Sequence, residues 1–598
     1  MTNKTMVWDL SPLVESTDLD KIKKRMFSLI QEAKRINSEY KGKITSLDAE
    51  GLLAFIKRLE KHRLNCEGTL KYCFLRYAAN TLDPEAKQIN DLARTSNVKI
   101  RQALAFAEIE VAHLVEKKSK LIEKPQLAQY NHYLSHLQRK APHYLSDVEE
   151  QLIIQKDRFG IDSWSQLHGN WISSYNFEIE IDGQTKRMPY GEIVALYEHP
   201  DRNLRKEVNR IVYKILGQDK ILWASALRAI IGDHVDMSKL RKWPSSQTQS
   251  LIDNDIDIDS LSALMTTVEN HVEVYHQYLH LKASLMKLPK LSNYDLFAPL
   301  PNMPDRVLSW EEASKVAIET YSIFDPEMGS IVANMFNNRR IDGAVRKGKQ
   351  SGAYCYSWLA GHTAFIRISF NGRLGELFTL IHENGHAVHC TLSSQQQSVF
   401  NCDVGMCVAE ISSMFGELLL ADKLIQEAKI AAEKIEVLAK ILDELGLYIF
   451  QISARYFFEM SLYEAFERGE YLDEQTITKL WIQARNRIFS DTVDWSTDLR
   501  WGWTTIWHYY IPRFRLYNYP YVFATLFALA LYRLYKEQGI EFVPKLKKLL
   551  SAGGSRSPQE LAGNLGFDIT TPEFWALGFK QVEEFVNLFE SLIERGDN

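Results

Sequence analysis

Thr379–Leu392 reads TLIHENGHAVHCTL, and the spacing of its polar residues decides what surrounds it. His382 and His386 are four residues apart, so on an α-helix they share one face with Cβ atoms about 5–6 Å apart. Two imidazoles so placed suit one zinc ion, which takes nitrogen donors at about 2.0–2.1 Å in a tetrahedral shell and, in a catalytic site, keeps one position for water. Glu383 follows the first histidine, which sets its carboxylate beside the ion rather than on it, where it can take a proton from water. HExxH also arises by chance in helical proteins, or as a surface histidine pair, so the context decides.

The context must supply a third donor. His389 lies seven residues beyond His382, about 10.5 Å along a helix axis and too far for the same shell. The extended pattern HExxHxxGxxH fails as well, since His389 stands where its glycine belongs and Leu392 where its last histidine belongs. Val408–Leu420, VAEISSMFGELLL, is an apolar helical stretch with Glu410 and Glu417 seven apart on one face. Glu410 is the expected third donor. Two acids on such a helix can also be solvated or paired with bases, but the flanking side chains read as buried, and isolated buried carboxylates are costly. Glu417 is placed to accept the free N–H of a metal-bound histidine.

Outward from this stretch, Thr363–Phe370 (TAFIRISF) reads as a strand ending at Asn371-Gly372. Residues 17–160 show apolar positions three and four apart, as in Leu19, Ile22, Met26, Leu29, Ala33 and Ile36 behind Thr17 and Asp18, which predicts a stack of amphipathic helices serving as scaffold or as a wall over a site. Phe177–Ile181 alternates before Asp182-Gly183, a hairpin signal that divides the chain into an N-terminal helical lobe, 1–190, and a second part, 191–598. Tyr521–Tyr532 (YVFATLFALALY) is short of the roughly 20 residues a membrane helix needs and reads as a buried helix.

Composition narrows the functional class. The chain has 598 residues and a formal net charge of -5, with both signs interspersed, so no nucleic-acid surface is expected. Six cysteines without a paired CxxC pattern argue against a disulfide framework and a thiolate zinc cluster, and fit a reducing compartment. Met1–Leu10 (MTNKTMVWDL) lacks the apolar core of a secretory leader. A cytoplasmic protein without membrane or nucleic-acid partners is expected.

These residues resemble the thimet oligopeptidase and oligoendopeptidase F family of zinc peptidases over most of the chain. The family pattern HExGHxxH, followed on the next helix by E-x-x-S-x-x-x-E, looks like His382–His389 and Glu410–Glu417, with Ser413 at the serine position. Lys347–Cys355 (KGKQSGAYC) resembles the family's glycine-rich segment that pairs with extended substrate, which implies substrate-binding roles for Gly352, Ala353 and Tyr354. Trp507–Tyr532 (WHYYIPRFRLYNYPYVFATLFALALY) resembles its histidine- and tyrosine-rich segment. That implies His508, Tyr517 and Tyr521 as catalytic hydrogen-bond donors, with Tyr519 in substrate binding and Tyr510 less favoured. Ala524 stands where the family has glycine, and Arg513 lies near the histidine. Ser551–Trp575 also looks like the family's C-terminal end.

The resemblance implies a mainly α, two-lobed, zincin-like metallopeptidase with a small sheet beside the active-site helix and a deep central channel, one zinc ion and short peptide substrates. The expected reaction is hydrolysis of internal peptide bonds. The alternatives are a zinc exopeptidase of carboxypeptidase type, for which no amine-anchoring GxMEN-like motif is found, and a catalytically silent peptide-binding scaffold.

Overall fold

The computed structural model of the chain describes residues 6–304 and 307–596. The first five residues, part of the stretch read for a leader, lie outside them. Helices dominate, joined by three small sheets among the described residues. The chain forms two compact units, each assembled from three stretches: residues 1–142, 305–423 and 531–567 in one, and 143–304, 424–530 and 568–598 in the other.

In the first unit the amphipathic pattern near the N-terminus becomes α1 (Leu19–Tyr40), α2 (Ala49–Ala79) and α3 (Pro84–Lys117). Asp18 caps α1 by accepting from the Lys21 backbone N at 2.9 Å, and Ile22, Met26, Leu29, Ala33 and Ile36 are its buried stripe. Next in this unit come α4 (Trp310–Phe324), β1 (Ile341–Asp342), β2 (Tyr354–Trp358) and β3 (Thr363–Arg367). The strand order is β1-β3-β2, with β1 parallel and β2 antiparallel to β3. β3 is buried at every position, as expected of the central strand. The predicted Thr363–Phe370 strand is thus present, its last residues continuing as backbone bonds from Ile368 N to Asp342 O (3.0 Å) and Phe370 N to Gly343 O (2.9 Å).

Gly372 makes the turn at φ +93°, where a Cβ would lie 2.3 Å from the Leu308 carbonyl oxygen. Glu376 accepts backbone N–H groups of Asn371 (2.5 Å) and Arg373 (3.2 Å), which starts α5 (Leu374–Gln396). α5 carries the HExxH residues across β2 and β3 and packs on α7 (Val543–Ser551); α6 (Ile411–Glu427) follows α5 in the chain.

In the second unit, Asn176–Ile181 pairs with Gln184–Pro189 as the expected hairpin, and Asp182 (φ 54°) and Gly183 (φ 73°) make a turn matched to the strands' twist. Tyr521–Tyr532 falls in the helix Tyr519–Gln538, where Val522 to Tyr532 are at most 2% exposed, so the apolar run is core. No described helix is long and apolar enough to cross a membrane.

Candidate metal centre and associated residues

The donor atoms of His382, His386 and Glu410 lie within 4.8 Å of one another, and no other such group of three or more occurs among the described residues. The Glu410 Oε2 atom is 3.2 Å from His382 Nε2 and 3.3 Å from His386 Nε2. A tetrahedral shell with donors at about 2.0–2.1 Å has edges of about 3.3–3.4 Å, so these spacings suit a zinc ion. The donor set of two imidazoles and one carboxylate fits the same ion.

Three local devices hold this geometry. First, Glu410 sits between a short helix, Met406–Ala409, and α6, where φ -88° and ψ -1° break the ladder for one residue. The continuous helix expected over 408–420 is therefore interrupted at the donor itself, and Ser413 Oγ donates to Glu410 Oε2 at 2.9 Å to fix the carboxylate. Second, Glu417 Oε1 lies 2.5 Å from His382 Nδ1, so His382 donates Nδ1–H to it and leaves Nε2 bare on the Glu410 side.

Third, α5 and the start of α6 approach closely at Gly385. A Cβ there would lie 2.5 Å from Ser412 O and 2.6 Å from Ser413 Cα. On the far side, the buried Tyr321 of α4 donates to Ile381 O at 2.9 Å while its hydroxyl fills the space a Cβ on Gly416 would need. One phenol thereby sets the spacing of α4, α5 and α6.

Burial would lower the His382 pKa, but its bonds to Glu410 and Glu417 win and raise it well above the ordinary value. Glu410 is correspondingly held well below the usual carboxylate range, burial being outweighed by His386 and His382. Glu383 is 6% exposed and its pKa is raised, first by burial and against the pull of the two histidines, as suits a proton acceptor. His389 stands apart from the donor group: it is buried, its Nε2 has no partner, and burial pushes its pKa down to about 4.

Gly352, at φ +86°, and Ala353 are exposed just before β2, with Tyr354 half-buried at its first position. Sequence reasoning passed over Arg367, the cross-strand partner of Tyr354. Its guanidinium lies 4.4 Å from the Tyr354 ring and donates to Gln350 Oε1 (3.1 Å) and Ser351 O (2.6 Å). Lys349, almost fully buried, binds Asp342 and the carbonyls of Ala344 and Ile368. Together they shape the glycine-rich segment. A lone arginine in the middle of an apolar strand, FIRIS, was the signal available.

In the second unit, His508 stacks on Tyr517 (centroids 4.9 Å, planes 17° apart), and Tyr517 meets Tyr521 edge-on at 5.6 Å. The three resemblance-derived donors therefore form one partly exposed cluster. Burial, with the charge of Arg455 behind it, lowers the His508 pKa to about 4, so the ring is neutral at pH 7. Tyr517 is displayed by a strained turn: Leu516 has φ 56°, and its N–H bonds to Glu459 Oε1 at 2.9 Å. The buried Glu459 also accepts from Arg515 (2.6 Å) and Tyr463 (3.1 Å).

Tyr519 differs, being fully buried with its hydroxyl donating to Ser250 O at 3.0 Å and accepting from Asn254 at 3.1 Å; it braces the helix start. Tyr510 is likewise buried, stacked on His168 at 4.3 Å.

A helical fold carrying HExxH on one helix and a converging glutamate on the next defines the class of metallopeptidases. The comparisons give the family. The sequence model of peptidase family M3 matches residues 195–581, and that of oligopeptidase F matches residues 115–177. The chain belongs to peptidase family M3. Peptides are its substrates.

It is 25% identical over 591 residues to oligopeptidase PepF of Bacillus subtilis, covering 98% of this chain and 87% of that protein. It is 27% identical over 535 residues to group B oligopeptidase PepB of Streptococcus agalactiae, covering 88% and 87%. Its fold resembles a solved structure from Chlamydophila abortus (TM-score 0.86, 20% identity, 99% of each chain). Oligoendopeptidase-F from Enterococcus faecium is also similar (TM-score 0.72, 22% identity, 96% and 99%).

Proposed function

We propose that the chain hydrolyses internal bonds of short peptides with one zinc ion held by His382, His386 and Glu410. The single observation that carries this reading is the 3.2 and 3.3 Å convergence of Glu410 on two imidazoles beside a buried glutamate. Zinc bound there supplies Lewis-acid activation of a water and of the scissile carbonyl.

Glu383 takes the proton of the attacking water and returns it to the leaving amine; its raised pKa favours the uptake. Glu417 keeps the His382 ring oriented. The family pattern supports His508, with Tyr517 or Tyr521, as donors to the oxyanion. Loss of one such donor costs on the order of 100- to 1000-fold in kcat. Gly352, Ala353 and Tyr354 receive the extended substrate, supported by an exposed glycine in the left-handed region at the start of an edge strand. Tyr519, with its hydroxyl already bonded within the protein, supports this helix rather than touching substrate.

In this reading residues 191–598 carry the chemistry and 1–190 form an accessory helical part, in keeping with the ranges of the two family matches. Six free cysteines favour a cytoplasmic location.

The test is E383Q. Purified wild type and variant are compared for bound zinc, and mixed oligopeptide digests are followed by mass spectrometry. E383Q is expected to hold zinc at the wild-type level and to cleave nothing, while wild type releases internal fragments. Cleavage by both proteins, or single-residue release by wild type, refutes the assignment.

A further inference from the structure

β2 is an edge strand: in the order β1-β3-β2 no strand lies beyond it among the described residues. The sense of its backbone follows from β3. Ile366 and Ile368 direct their N–H groups to Arg340 O (2.9 Å) and Asp342 O (3.0 Å) on the β1 side, so the alternate residues Phe365 and Arg367 face β2. Their cross-strand partners are Tyr356 and Tyr354. Those two tyrosines therefore turn their backbone groups to β3. Cys355 and Ser357 turn theirs to the open edge, where an extended peptide can add as a further strand.

One end of that edge is closed from α2. Lys71 Nζ donates to Ser357 O, and one helical turn earlier Glu67 accepts from the Leu359 N–H (2.9 Å) and the Ala360 N–H (3.0 Å). The Lys71 ammonium is held from two further sides, by Glu67 Oε1 at 2.5 Å and by the Tyr356 ring, whose centre is 4.8 Å away. A peptide paired along β2 past Cys355 thus meets an ammonium already seated on the next carbonyl it needs.

α5 gives the scale. Cys390 Sγ donates to Thr363 O at 3.3 Å, opposite Trp358, and α5 runs back along β3 from the Gly372 turn. Glu383 precedes Cys390 by seven residues, about 10.5 Å of helix, and Cys355 precedes Trp358 by three, about 10 Å of strand, so the two are level. From that level to the Ser357 carbonyl an extended chain has room for about two residues.

We propose that Lys71, held by Glu67, is a specificity-determining stop: it ends substrate pairing about two residues from the catalytic level and so limits the extended stretch of peptide on one side of the cleaved bond. The inference rests on the peptidase reading and on β2 as the strand that receives substrate. Antiparallel pairing directs the N-terminal side of the peptide to the stop, and parallel pairing the C-terminal side.

Two ladders of peptides test this, built on one cleaved sequence, lengthened residue by residue at the N-terminal or the C-terminal end, and blocked at both termini. kcat/KM is measured for zinc-loaded wild type, K71M and K71R. In one ladder the wild-type value is expected to stop rising when the peptide reaches Lys71. In K71M the next two residues raise it by about 2- to 10-fold each, the worth of newly made backbone bonds, while shorter peptides are cut alike by both proteins. K71R keeps a donor on the carbonyl and keeps the plateau.

The ladder that shows the plateau names the side of the peptide. Absence of a plateau from both wild-type ladders overturns the proposal, and so does a plateau unchanged in K71M. Glu67 retains the Leu359 and Ala360 N–H groups in K71M, so no buried charge is left bare. If K71M does not fold, K71A frees the same carbonyl and takes its place. Failure of the peptidase reading would show separately, as a wild type that cuts no member of either ladder.

Discussion

Replacing Gly385 by alanine tests whether the close approach of α5 to the Glu410 segment builds the metal centre. The added Cβ would sit 2.5 Å from Ser412 O, and ordinary contact begins near 3.4 Å, so the two segments must separate by 3.4 − 2.5 = 0.9 Å or distort to a similar extent. The obstacle is backbone, which cannot rotate away. Metal–ligand distances tolerate about 0.2 Å, and Glu410 is two residues from the atom that is pushed. Zinc affinity is therefore expected to fall by about 10- to 100-fold, the range seen when ligand support is lost.

Stability is opposed by two effects: overpacking costs about 1–3 kcal/mol, and alanine in place of a helical glycine returns about 1 kcal/mol. The metal-free G385A protein should thus lose up to about 2 kcal/mol, less than the metal site loses in relative terms. Competition against a chromophoric chelator gives the affinity, and urea unfolding of the chelator-stripped protein gives the stability. A G385A protein with wild-type zinc affinity and undiminished stability would refute the reasoning.

Two further outcomes follow from neighbouring groups. In E417Q the Nδ1 partner of His382 loses its charge, and zinc affinity should fall by about tenfold or more without loss of fold, measured by the same chelator competition; unchanged affinity would remove Glu417 from the site. His168, fully buried with Nε2 bonded to Thr504 O at 2.7 Å and Nδ1 bare, has its pKa lowered to about 4 by burial. Between pH 6.5 and 4 the unfolded chain binds a proton there that the folded chain does not, so stability falls with acidification by about 1.4 kcal/mol per unit. Urea midpoints of H168Q should vary less steeply over that window, and parallel slopes would exclude His168 as the cause.

What was legible in the sequence was local and periodic. Four-residue spacing placed His382 and His386, seven-residue spacing placed Glu410 and Glu417, and Asp182-Gly183 marked a turn, because each depends on backbone geometry over a few residues. What escaped depends on residues far apart in the chain. Nothing beside Tyr321 indicates that its hydroxyl spans Ile381 and Gly416, and nothing beside Glu459 indicates that it holds the Leu516 turn. The break at Glu410 escaped too, since an apolar helical pattern runs through it undisturbed and only the packing of Ser413 and Gly385 singles it out. The interleaving of the two units left no mark in composition: the chain at 142, 304, 423, 530 and 567 carries no low-complexity linker.

That interleaving bears on biosynthesis. α5 leaves the ribosome with both HExxH imidazoles, yet α7, residues 543–551, which covers one of its sides, is translated only well after it. For seconds the nascent helix bears an uncovered apolar flank beside residues able to capture stray metal. Chaperone occupancy of stalled chains should accordingly drop only once residue 551 has cleared the exit tunnel.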